Sequence, residues 1–287
     1  MRRDTDMSKV WFITGTSKGF GNVWAQAALE RGDKVAATAR DTTTLGPLVA
    51  QYGTDAVLPI RLDVNDKAAV DAAVKEAHDY FGRLDVVVNN AGYGLFGMVE
   101  EVSEAEARAQ LETNVFGALW VTQAALPFMR EQGSGHILQV SSIGGVNAFP
   151  MIGLYHASKW ALEGMSQALA AEVKPFGIDV TIIEPAGYDT DWGGPSAIHA
   201  TPLEAYGEVR ERVLAWRKER AAIAGDPDAT AEAIFAVVDA DRPPLRLFLG
   251  EVGLPMTRAE YARRIAEWEQ WDAVASAAQG RREEVAA

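Results

Sequence analysis

The chain contains one pair of side chains whose types and spacing suit acid–base chemistry. Of its seven tyrosines, only Tyr155 has a lysine four residues later, Lys159. On a helix this spacing places both side chains on one face, so the ammonium group can lie beside the phenol. A phenol has a pKa near 10, and acid–base work near neutrality requires a value roughly two to three lower, which a neighbouring cation favours by stabilising the phenolate. Taken alone, such a pair is more often a surface coincidence than a site.

A serine makes the signal more specific. Ser142 lies thirteen residues before Tyr155 and follows a segment with the composition of a buried strand. An ordinary turn or helix-cap serine would also fit this position, and Ser141 is an adjacent alternative.

A glycine-rich segment lies where the first predicted strand turns into a helix; it reads Thr14-Gly15-Thr16-Ser17-Lys18-Gly19-Phe20-Gly21. In that context, backbone N–H groups and the helix N-terminus can bind a pyrophosphate, and glycine is needed because a Cβ would hold the phosphates away. The glycines are four and then two residues apart, whereas the general dinucleotide fingerprint has two and then three. The alternative is a turn that merely requires glycine.

The composition excludes several classes of protein. With 48% hydrophobic and 23% charged residues, the chain is neither disordered nor collagen-like. Its formal net charge of −13 repels phosphate backbones and anionic headgroups, so neither nucleic acid nor a membrane is expected as a partner. The absence of cysteine excludes disulfides, thiolate metal sites and a cysteine nucleophile, and we predict no metal site. No run approaches the roughly 18 apolar residues of a membrane span, and the start lacks the apolar core of a secretory signal. We therefore expect a cytoplasmic protein with a flexible leader over residues 1–8.

Short β-rich runs alternate with longer helical patterns, which is typical of βαβ units around a parallel sheet. The near-continuous apolar character of these runs suits strands that are covered on both faces. The predicted strands span residues 10–14, 35–39, 57–62, 85–89, 136–141, 179–184 and 245–249. Helices are predicted at about 20–31, 42–52, 70–81, 103–131 and 154–174. Because neither a repeat nor a Ser/Gly linker interrupts this rhythm, we predict a single catalytic domain over residues 9–250.

Two segments fall outside the rhythm. Residues 188–222 begin with the loop Trp192-Gly193-Gly194-Pro195 and are predicted to form a substrate-loop insertion over the sheet edge. The apolar side of its helical pattern consists of Leu203, Tyr206, Val209, Val213 and Trp216. Residues 251–287 form a predicted helical extension that begins at a capping box, Thr257-Arg258-Ala259-Glu260. Its close tryptophans, Trp268 and Trp271, are expected to pack on the same subunit, with packing on a partner as the alternative.

The glycine spacing and the motifs after it resemble those of the short-chain dehydrogenase/reductase (SDR) family, from residue 9 to about residue 250. The motifs occur in the family's order: Thr14-Gly15-x-x-x-Gly19-x-Gly21, Asp63, Asn89-Asn90-Ala91-Gly92, Asn114, Ser142 and Tyr155-x-x-x-Lys159. The resemblance implies an α/β fold of the Rossmann type, with a doubly wound seven-stranded parallel sheet and helices on both faces. It also implies that hydride moves between a nicotinamide cofactor and a carbonyl or alcohol carbon. The family spacing favours Ser142 over Ser141.

The resemblance implies a role for each motif. Tyr155 would donate a proton to the carbonyl oxygen in reduction, or accept one from the alcohol in oxidation, while Ser142 hydrogen-bonds that oxygen. Lys159 would bind the nicotinamide ribose and lower the pKa of Tyr155, and Asn114 would hold a proton-relay water near the lysine. The implied cofactor-binding residues are Gly15, Ser17, Lys18, Gly19, Phe20, Gly21, Arg40, Asp63, Val64, Asn90, Ala91, Gly92, Tyr155, Lys159, Pro185, Gly187 and Thr190.

We predict a preference for NADP(H) over NAD(H). An NAD site requires an acidic residue near the end of the second strand to bind the ribose 2′-hydroxyl, and the family's acidic position aligns here with Ala39. Arg40 follows it and Lys18 lies in the glycine loop, so two cations can converge on a 2′-phosphate. Charge-assisted bonds of about 1.5–3 kcal/mol each correspond to a tenfold preference or more. Asp41 is the counter-evidence, since it could turn inward and repel the phosphate, or simply cap the following helix.

The expected substrate wall is largely apolar. Ala186 interrupts the Pro-Gly pair that is usual in the family after the sixth strand, and Gly187 is expected to supply the flexible position instead. No cluster is visible that would grip a carboxylate or phosphate, so the sequence predicts a hydrophobic or aromatic ketone or alcohol as the small-molecule substrate. The predicted substrate residues are Gly94, Leu95, Ile143, Gly144, Phe149, Tyr188 and Trp192. His156 is left out of the mechanism, because a single histidine is more often structural.

Other functions on this fold predict other residues. A sugar-nucleotide epimerase should show a different glycine spacing, and a dehalogenase-like lyase would lack the cofactor glycines and carry arginine at the Lys159 position. A non-catalytic NADP(H)-binding redox sensor is the alternative hypothesis, although such a protein would be expected to lose catalytic groups that are all present here. Small-residue-rich helices at 116–125 and 157–171 can pack against symmetry mates, so we also predict a homodimer or homotetramer.

Overall fold

Seven parallel strands form the centre of the molecule. The computed structural model describes residues 8–194, 196–221 and 224–280. Numbered along the chain, the strands are β1 (Val10–Ile13), β2 (Lys34–Ala39), β3 (Val57–Arg61), β4 (Val86–Asn89), β5 (Leu95–Phe96), β6 (Gly135–Val140), β7 (Ile178–Pro185), β8 (Ile198–His199) and β9 (Arg246–Leu249). The sheet has the order β3-β2-β1-β4-β6-β7-β9, while β5 and β8 pair with each other. The predicted seven-stranded parallel sheet is confirmed, with strand ends that differ by at most one residue.

The strand order fixes where a ligand can bind. The chain runs outward from β1 through β2 to β3 and then returns to the other side of β1 as β4. In the register of these strands, Phe12 of β1 lies beside Ala36 of β2 and Val87 of β4. Open α/β sheets bind ligands outside the carboxyl ends of the strands where the order reverses. The crevice above the ends of β1 and β4 is therefore the expected location of the site.

Helices cover both faces of the sheet. In chain order they are α1 (Gly19–Glu30), α2 (Gly46–Tyr52), α3 (Lys67–Phe81), α4 (Glu104–Leu111), α5 (Ala118–Gln132), α6 (Gly153–Val173), α7 (Gly207–Ala221), α8 (Thr230–Val238) and α9 (Gly253–Ala277). On one face, α1 and α8 bury Trp24 and Ile234 against the strands. On the other, α3, α5 and α6 bury Val74, Val121 and Leu169. The doubly wound Rossmann arrangement is thus confirmed.

Three helical predictions change. The single helix predicted at 103–131 is divided into α4 and α5 by a π-helical turn, Glu112–Gly117, which carries Asn114. The helix predicted at 42–52 begins as a 3₁₀ turn, Thr42–Leu45, because Asp41 caps it by accepting from the N–H of Thr43. The third difference is α8, a helix that the sequence patterns do not predict. A tertiary contact stabilises its start, because the indole of Trp24 donates to the hydroxyl of Thr230 at 2.8 Å.

The predicted insertion after β7 forms a cover beside the sheet. Its strand β8 adds to β5 in a small parallel pair, which the sequence did not predict. The helical pattern begins later than predicted, since Leu203 precedes α7. An ion pair between Arg210 of α7 and the buried carboxylate of Glu101 attaches this helix to the segment after β5. Pro195 and residues 222–223 of the predicted insertion lie outside the described residues.

The C-terminal helix differs from its prediction in two respects. α9 begins at Gly253, so the predicted capping box lies inside it, and Thr257 instead accepts a hydrogen bond from the side-chain amide of Asn147 at 2.8 Å. Trp268 and Trp271 are 65% and 60% exposed, so the expectation that they pack on the same subunit is wrong. None of the described helices combines the length and apolar character needed to cross a bilayer. Residues 1–7 of the leader predicted over residues 1–8, and residues 281–287 of the predicted extension, lie outside the described residues.

Candidate active site

The glycine-rich loop between β1 and α1 forms a cradle that larger side chains would fill. Gly15 and Gly19 have φ angles of 71° and 60°, in the left-handed region that favours glycine. A Cβ at Gly21 would collide with the carbonyl oxygen of Gly15. α1 begins at Gly19, and Lys18 before it provides no side-chain cap. Backbone N–H groups at such a helix terminus suit a phosphate group, so the loop fits the pyrophosphate of a dinucleotide.

A hydrogen-bonded brace joins this loop to the end of β4. The hydroxyl oxygen of Thr14 accepts from the backbone N–H groups of Asn90 and Ala91, both at 2.9 Å. The side-chain amide of Asn90 donates to the carbonyl oxygens of Thr14 and Gly15 at 2.8 and 3.0 Å. The structure thus brings Asn90 and Ala91 to the glycine loop, and it adds Thr14 as a positioning residue, which belongs to the sequence motif but had no predicted role. Contact of Asn90 and Ala91 with the cofactor stays a prediction.

Tyr155 lies in the first turn of α6 and is buried. Burial raises the pKa of Tyr155 to about 12, and the neighbouring Ser142 side chain acts in the opposite direction, because it favours the phenolate. The oxygen of Ser142 accepts from the N–H of Gly144 at 3.0 Å, which fixes its position. The hydroxyl of the rival Ser141 has no hydrogen-bond partner among the described residues. The structure therefore brings Ser142, and not Ser141, to the phenol.

Lys159 lies one helical turn after Tyr155, with its side chain buried. Its ammonium nitrogen donates to the carbonyl oxygen of Val140 at 2.7 Å and lies 5.8 Å from the centroid of the Tyr155 ring. Burial lowers the pKa of Lys159 to about 8, and the charge of Glu163 opposes that shift. The cation is therefore held beside the phenol by a backbone oxygen at the end of β6.

Asn114 projects from the π-helical turn toward the same place. Its oxygen accepts from the N–H of Tyr93 at 3.1 Å, and its amide nitrogen donates to the carbonyl oxygen of Tyr93 at 3.1 Å and to the hydroxyl of Ser158 at 3.0 Å. A Cβ on Gly92 would lie 3.0 Å from the Asn114 oxygen and 3.8 Å from the Lys159 nitrogen. Gly92 thus leaves room between the amide and the ammonium group, while the proton-relay role of Asn114 stays a prediction.

Two buried carboxyl groups extend this row of residues behind Lys159. Glu163 lies one turn further along α6, and Glu184 lies in β7 with no solvent exposure. The Nε of Arg246 is 3.1 Å from an oxygen of Glu163 and 3.5 Å from one of Glu184. Burial, followed by the charge of Glu163, raises the pKa of Glu184 to about 8, so Glu184 holds a proton at neutral pH. Neither glutamate had a predicted role, because nothing in their spacing shows that they meet.

The end of β2 presents the residues predicted to distinguish the two cofactors. Arg40 is exposed directly after the strand, which ends at Ala39. The Asp41 carboxylate accepts from the N–H of Thr43 at 3.0 Å and from its hydroxyl at 2.7 Å, so Asp41 caps the next turn. Lys18 is exposed and pairs with Asp191 of the cover, at 3.2 Å between the nitrogen and the carboxylate.

Other predicted cofactor residues lie at neighbouring strand ends. Asp63 follows β3 and accepts from the N–H of Asn65 at 3.0 Å. Val64 is buried, and its Cγ2 would lie only 2.7 Å from a Cβ on Gly117. Ser17 is exposed within the glycine loop. The ring of Phe20 stacks on Trp24, with 5.2 Å between centroids, so its side chain belongs to the packing of α1.

β7 ends at Pro185, and the loop with the other predicted cofactor residues follows it. A Cβ on Gly187 would have no neighbouring atom within 4 Å, and the Gly187 carbonyl oxygen accepts from the N–H of Gly225 at 2.9 Å. The N–H of Thr190 donates to the carbonyl oxygen of Tyr188 at 3.0 Å. These residues stand at the carboxyl end of the sheet, and their cofactor contacts stay predictions.

Trp192 covers Tyr155. Its ring lies 4.8 Å from that of Tyr155 and 5.3 Å from that of Phe96, centroid to centroid. A Cβ on Gly94 would lie 2.7 Å from the indole, so the glycine makes room for it. Among the predicted substrate residues, Gly94 and Trp192 therefore meet above Tyr155. Phe96, which was expected in the substrate wall beside Gly94 and Leu95, completes this aromatic group.

The structure places the other predicted substrate residues differently. Tyr188 points away from the cover: its ring lies edge-on to Phe20 at 5.2 Å between centroids, which corrects its predicted substrate contact. Leu95 is buried in β5, and Ile143 and Gly144 form the turn that follows Ser142. Phe149 lies 5.5 Å from Trp216 of α7, centroid to centroid.

His156 has a structural role, in keeping with its omission from the mechanism. One ring nitrogen lies 2.9 Å from the carbonyl oxygen of Gly144, and the other accepts from the N–H of Phe149 at 2.9 Å. Burial lowers the pKa of His156. The neutral imidazole thus ties the start of α6 to the Ser142 turn.

Comparison with known proteins agrees with this geometry. The chain matches the family model of the short chain dehydrogenases over residues 9–198. It is 43% identical over 262 residues to oxidoreductase BOA17 of Botryotinia fuckeliana. The aligned residues cover 91% of this chain and 94% of that protein. The fold is similar to that of a short-chain dehydrogenase from Streptomyces avermitilis, with a TM-score of 0.87, 39% identity, and coverage of 95% of this chain and 98% of that one. The chain belongs to the short-chain dehydrogenase/reductase family and is an oxidoreductase.

Solved relatives of this family bind nicotinamide dinucleotides. The chain is 28% identical to an alcohol dehydrogenase from Thermococcus sibiricus complexed with 5-hydroxy-NADP, with a TM-score of 0.70 and coverage of 85% and 96% of the two chains. It is also 28% identical to a 3-ketoacyl-(acyl-carrier-protein) reductase from Brucella melitensis complexed with NADH, with a TM-score of 0.72 and coverage of 84% and 96%. The glycine cradle of the present chain fits the same type of cofactor.

Proposed function

We propose that this oxidoreductase uses NADP(H) to interconvert a ketone or aldehyde with an alcohol, on a substrate with an apolar or aromatic body, with Tyr155 as the acid and base. The observation that carries the proposal is the convergence of three side chains: Ser142 neighbours the phenol of Tyr155, and Lys159, held by the carbonyl oxygen of Val140, lies 5.8 Å from the centroid of the Tyr155 ring. A proton donor, a second hydroxyl and a cation thus converge on one point of the cleft. A bound nicotinamide dinucleotide would supply or accept the hydride.

The chain's own residues account for the proton in this scheme. In reduction, Tyr155 donates its phenolic proton to the carbonyl oxygen, and Ser142 holds that oxygen by a hydrogen bond. The ammonium group of Lys159 stabilises the phenolate that remains. Because burial raises the pKa of Tyr155 to about 12, the phenol is protonated at neutral pH before the cofactor binds. This is the protonation state in which Tyr155 can act as the proton donor of a reduction.

The preference for NADP(H) rests on charge at the end of β2. The position of the expected acidic residue is Ala39, Arg40 is exposed next to it, and Asp41 is engaged with Thr43. The possibility that Asp41 turns inward to repel a phosphate therefore has no support from its hydrogen bonds. Lys18 of the glycine loop is the second cation proposed for the 2′-phosphate, which would have to compete with Asp191 for it.

The nature of the substrate is inferred from the rings above Tyr155. Trp192 and Phe96 present aromatic surface to whatever lies next to the phenol. Such surface favours an apolar or aromatic group beside the reacting carbonyl.

The test is NADPH and NADH oxidation against a panel of apolar and aromatic ketones and aldehydes, followed at the nicotinamide absorbance band. Consumption of NADPH with at least one aromatic ketone, faster than of NADH, is expected. Tight NADPH binding with no turnover on any member of the panel would instead favour a non-catalytic redox sensor on the same fold.

A further inference from the structure

We propose that Arg217 binds an anionic substituent of the substrate, so that the preferred substrate is an aromatic or apolar carbonyl compound that also bears a carboxylate or a comparable oxyanion. The inference rests on the proposed function, because it assigns the outer end of the same cleft. It also revises the expectation of an uncharged substrate.

The first observation is the position of Arg217 on α7. The less exposed side of this helix includes Arg210, Val213 and Arg217, at three- and four-residue steps, while Arg212 and Lys218 are exposed. Arg217 thus occupies an inward position of the kind that usually carries an apolar residue. The cover therefore presents a cation toward the interior of the cleft.

The second observation is that the two inward arginines differ in their partners. Arg210 pairs with the buried carboxylate of Glu101. Arg217 has no acidic partner within ion-pair distance among the described residues, although burial lowers its pKa. A half-buried cation without a counter-ion is unfavourable unless a ligand compensates it. Arg210 already accounts for attachment of the helix, so a second, unpaired arginine calls for another explanation.

The third observation is what surrounds the guanidinium group. Its central carbon lies 4.2 Å from the centroid of the Phe96 ring. Phe96 in turn contacts Trp192, which covers Tyr155. Arg217 is therefore separated from the catalytic phenol by two aromatic rings. A substrate with its carbonyl group at Tyr155 and an apolar body along these rings would bring its far end to Arg217.

The direction of the cover distinguishes the substrate from the cofactor as the source of the anion. Asp191 pairs with Lys18 of the glycine loop. The next residue, Trp192, contacts Tyr155. A Cβ on Gly193, the residue after that, would lie 3.3 Å from the terminal nitrogen of Arg217. Successive residues thus lead from the cofactor loop, past the phenol, to Arg217. Among the described residues, the guanidinium group contacts Phe96 and approaches Gly193, while the cation that faces Asp191 beside the glycine loop is Lys18.

The charge of the whole protein makes a local cation more useful. With a formal net charge of −13, the surface repels an anionic substrate at long range. A guanidinium group at the cleft can offset this by charge-assisted hydrogen bonds to a carboxylate, frequently two in parallel. Arginine is better suited to this geometry than lysine, which acts as a point charge.

The experiment measures binding to the protein saturated with NADP⁺, so that no turnover is required. The probes are para-acetylbenzoate and its methyl ester, and beta-benzoylpropionate and its methyl ester, followed by quenching of tryptophan fluorescence, since Trp192 and Trp216 lie close to the site. Each acid should bind roughly tenfold tighter than its ester, because one charge-assisted pair is gained. Arg217→Met should abolish that preference while leaving ester and NADP⁺ binding unchanged, and Arg217→Lys should retain part of it. Arg212→Met, on the exposed side of α7, is the matched control and should keep the full preference.

The outcomes separate this inference from its alternatives. Absence of a charge preference in the unmodified protein, including failure to bind either member of both pairs, overturns it. Loss of NADP⁺ binding in Arg217→Met would assign the arginine to the cofactor phosphate instead. Equal loss of acid and ester binding, with a lower melting temperature, would assign it to attachment of α7. The proposed function is judged separately by NADPH consumption, so a protein that reduces neutral ketones without preferring acids keeps that function and loses this inference.

Discussion

The indole of Trp192 lies against the phenol of Tyr155, with 4.8 Å between the ring centroids and an interplanar angle of 57°. This contact covers the group that would protonate the substrate. Access to Tyr155 therefore depends on the position of the Trp192 indole. The residue before it, Asp191, pairs at 3.2 Å with Lys18 of the loop that would bind phosphate.

Gly94 allows this contact to be tested. A Cβ there would lie 2.7 Å from the Trp192 ring, so Gly94→Ala should displace the indole and change KM for aromatic ketones severalfold. Trp192→Ala removes the indole atoms with which that Cβ would collide, so adding Gly94→Ala to Trp192→Ala should have little further effect on KM. A double-mutant cycle on KM measures this coupling. Gly164→Ala, where a Cβ would have no neighbour within 4 Å, is the control; additive effects of the two substitutions would contradict the structure.

Removal of the Tyr155 hydroxyl should abolish most turnover. General acid–base catalysis contributes about 10²- to 10⁴-fold, and Tyr155 is the phenol that neighbours both Ser142 and Lys159. Tyr155→Phe should therefore lower kcat by that factor while NADPH affinity, measured by cofactor fluorescence, changes little. Tyr80→Phe, at a position that is 49% exposed, is the matched control. Activity within a fewfold of the unmodified enzyme would rule out Tyr155 as the acid.

Charge at the end of β2 should set the cofactor preference. Arg40→Ala removes one charge-assisted bond to a 2′-phosphate and should lower the NADPH-to-NADH ratio of kcat/KM by about tenfold. Ala39→Asp should lower it further, because a carboxylate there repels the phosphate and can bind a ribose hydroxyl. Arg258→Ala, an exposed arginine on α9, should leave the ratio unchanged. If Arg40→Ala also leaves it unchanged, the proposed preference has no basis in this strand end.

Most of the sheet can be predicted from sequence, because a strand buried on both faces has a simple pattern. β4 is an example, since Val86, Val87 and Val88 are all buried. The start of α9 could not be predicted in this way. Thr257 satisfies a local capping rule, yet the side chain that bonds it, Asn147, is 110 residues away. Local patterns contain no information about such a partner.

The same distinction holds at the site. Tyr155 and Lys159 share one helix, so their spacing alone places them on one face. Tyr188 and Trp192 lie on an irregular segment, where no period relates spacing to direction, and they point to Phe20 and to Tyr155 respectively. Arg217 belongs to a recognisable helix, but the ring that it contacts, Phe96, lies more than a hundred positions earlier in the chain.

The exposed tryptophans of α9 give a prediction about assembly. Trp268 is 65% exposed, so Trp268→Ala should change the free energy of unfolding of a monomer by no more than about 0.5 kcal/mol. Trp24 is 1% exposed, and Trp24→Ala should cost about 3–5 kcal/mol. Denaturant unfolding, combined with sedimentation, measures both. A loss above about 1 kcal/mol for Trp268→Ala that grows with protein concentration would show that a second chain covers this face.

The buried carboxyl group of Glu184 makes stability depend on pH in a direction that can be derived. Its pKa is raised from 4.5 to about 8 by burial and by the charge of Glu163. Below pH 4.5 the group is protonated in both the folded and the unfolded chain, so it imposes no cost. As the pH rises toward 8, the unfolded chain releases this proton and the folded chain retains it, so stability falls.

Glu184→Gln should therefore stabilise the protein near neutral pH. The amide keeps the shape of the side chain and removes the group that must stay protonated, and the linked free energy at pH 7 is at most on the order of 3 kcal/mol. Melting temperatures between pH 4 and 8 should show a gain that is largest at pH 7–8 and disappears near pH 4. Glu172→Gln, on an exposed position of α6, should show no such dependence. A loss of stability in Glu184→Gln that is constant with pH would mean that the carboxylate is charged in the folded protein and that its pairing with Arg246, at 3.5 Å, outweighs the cost of burial.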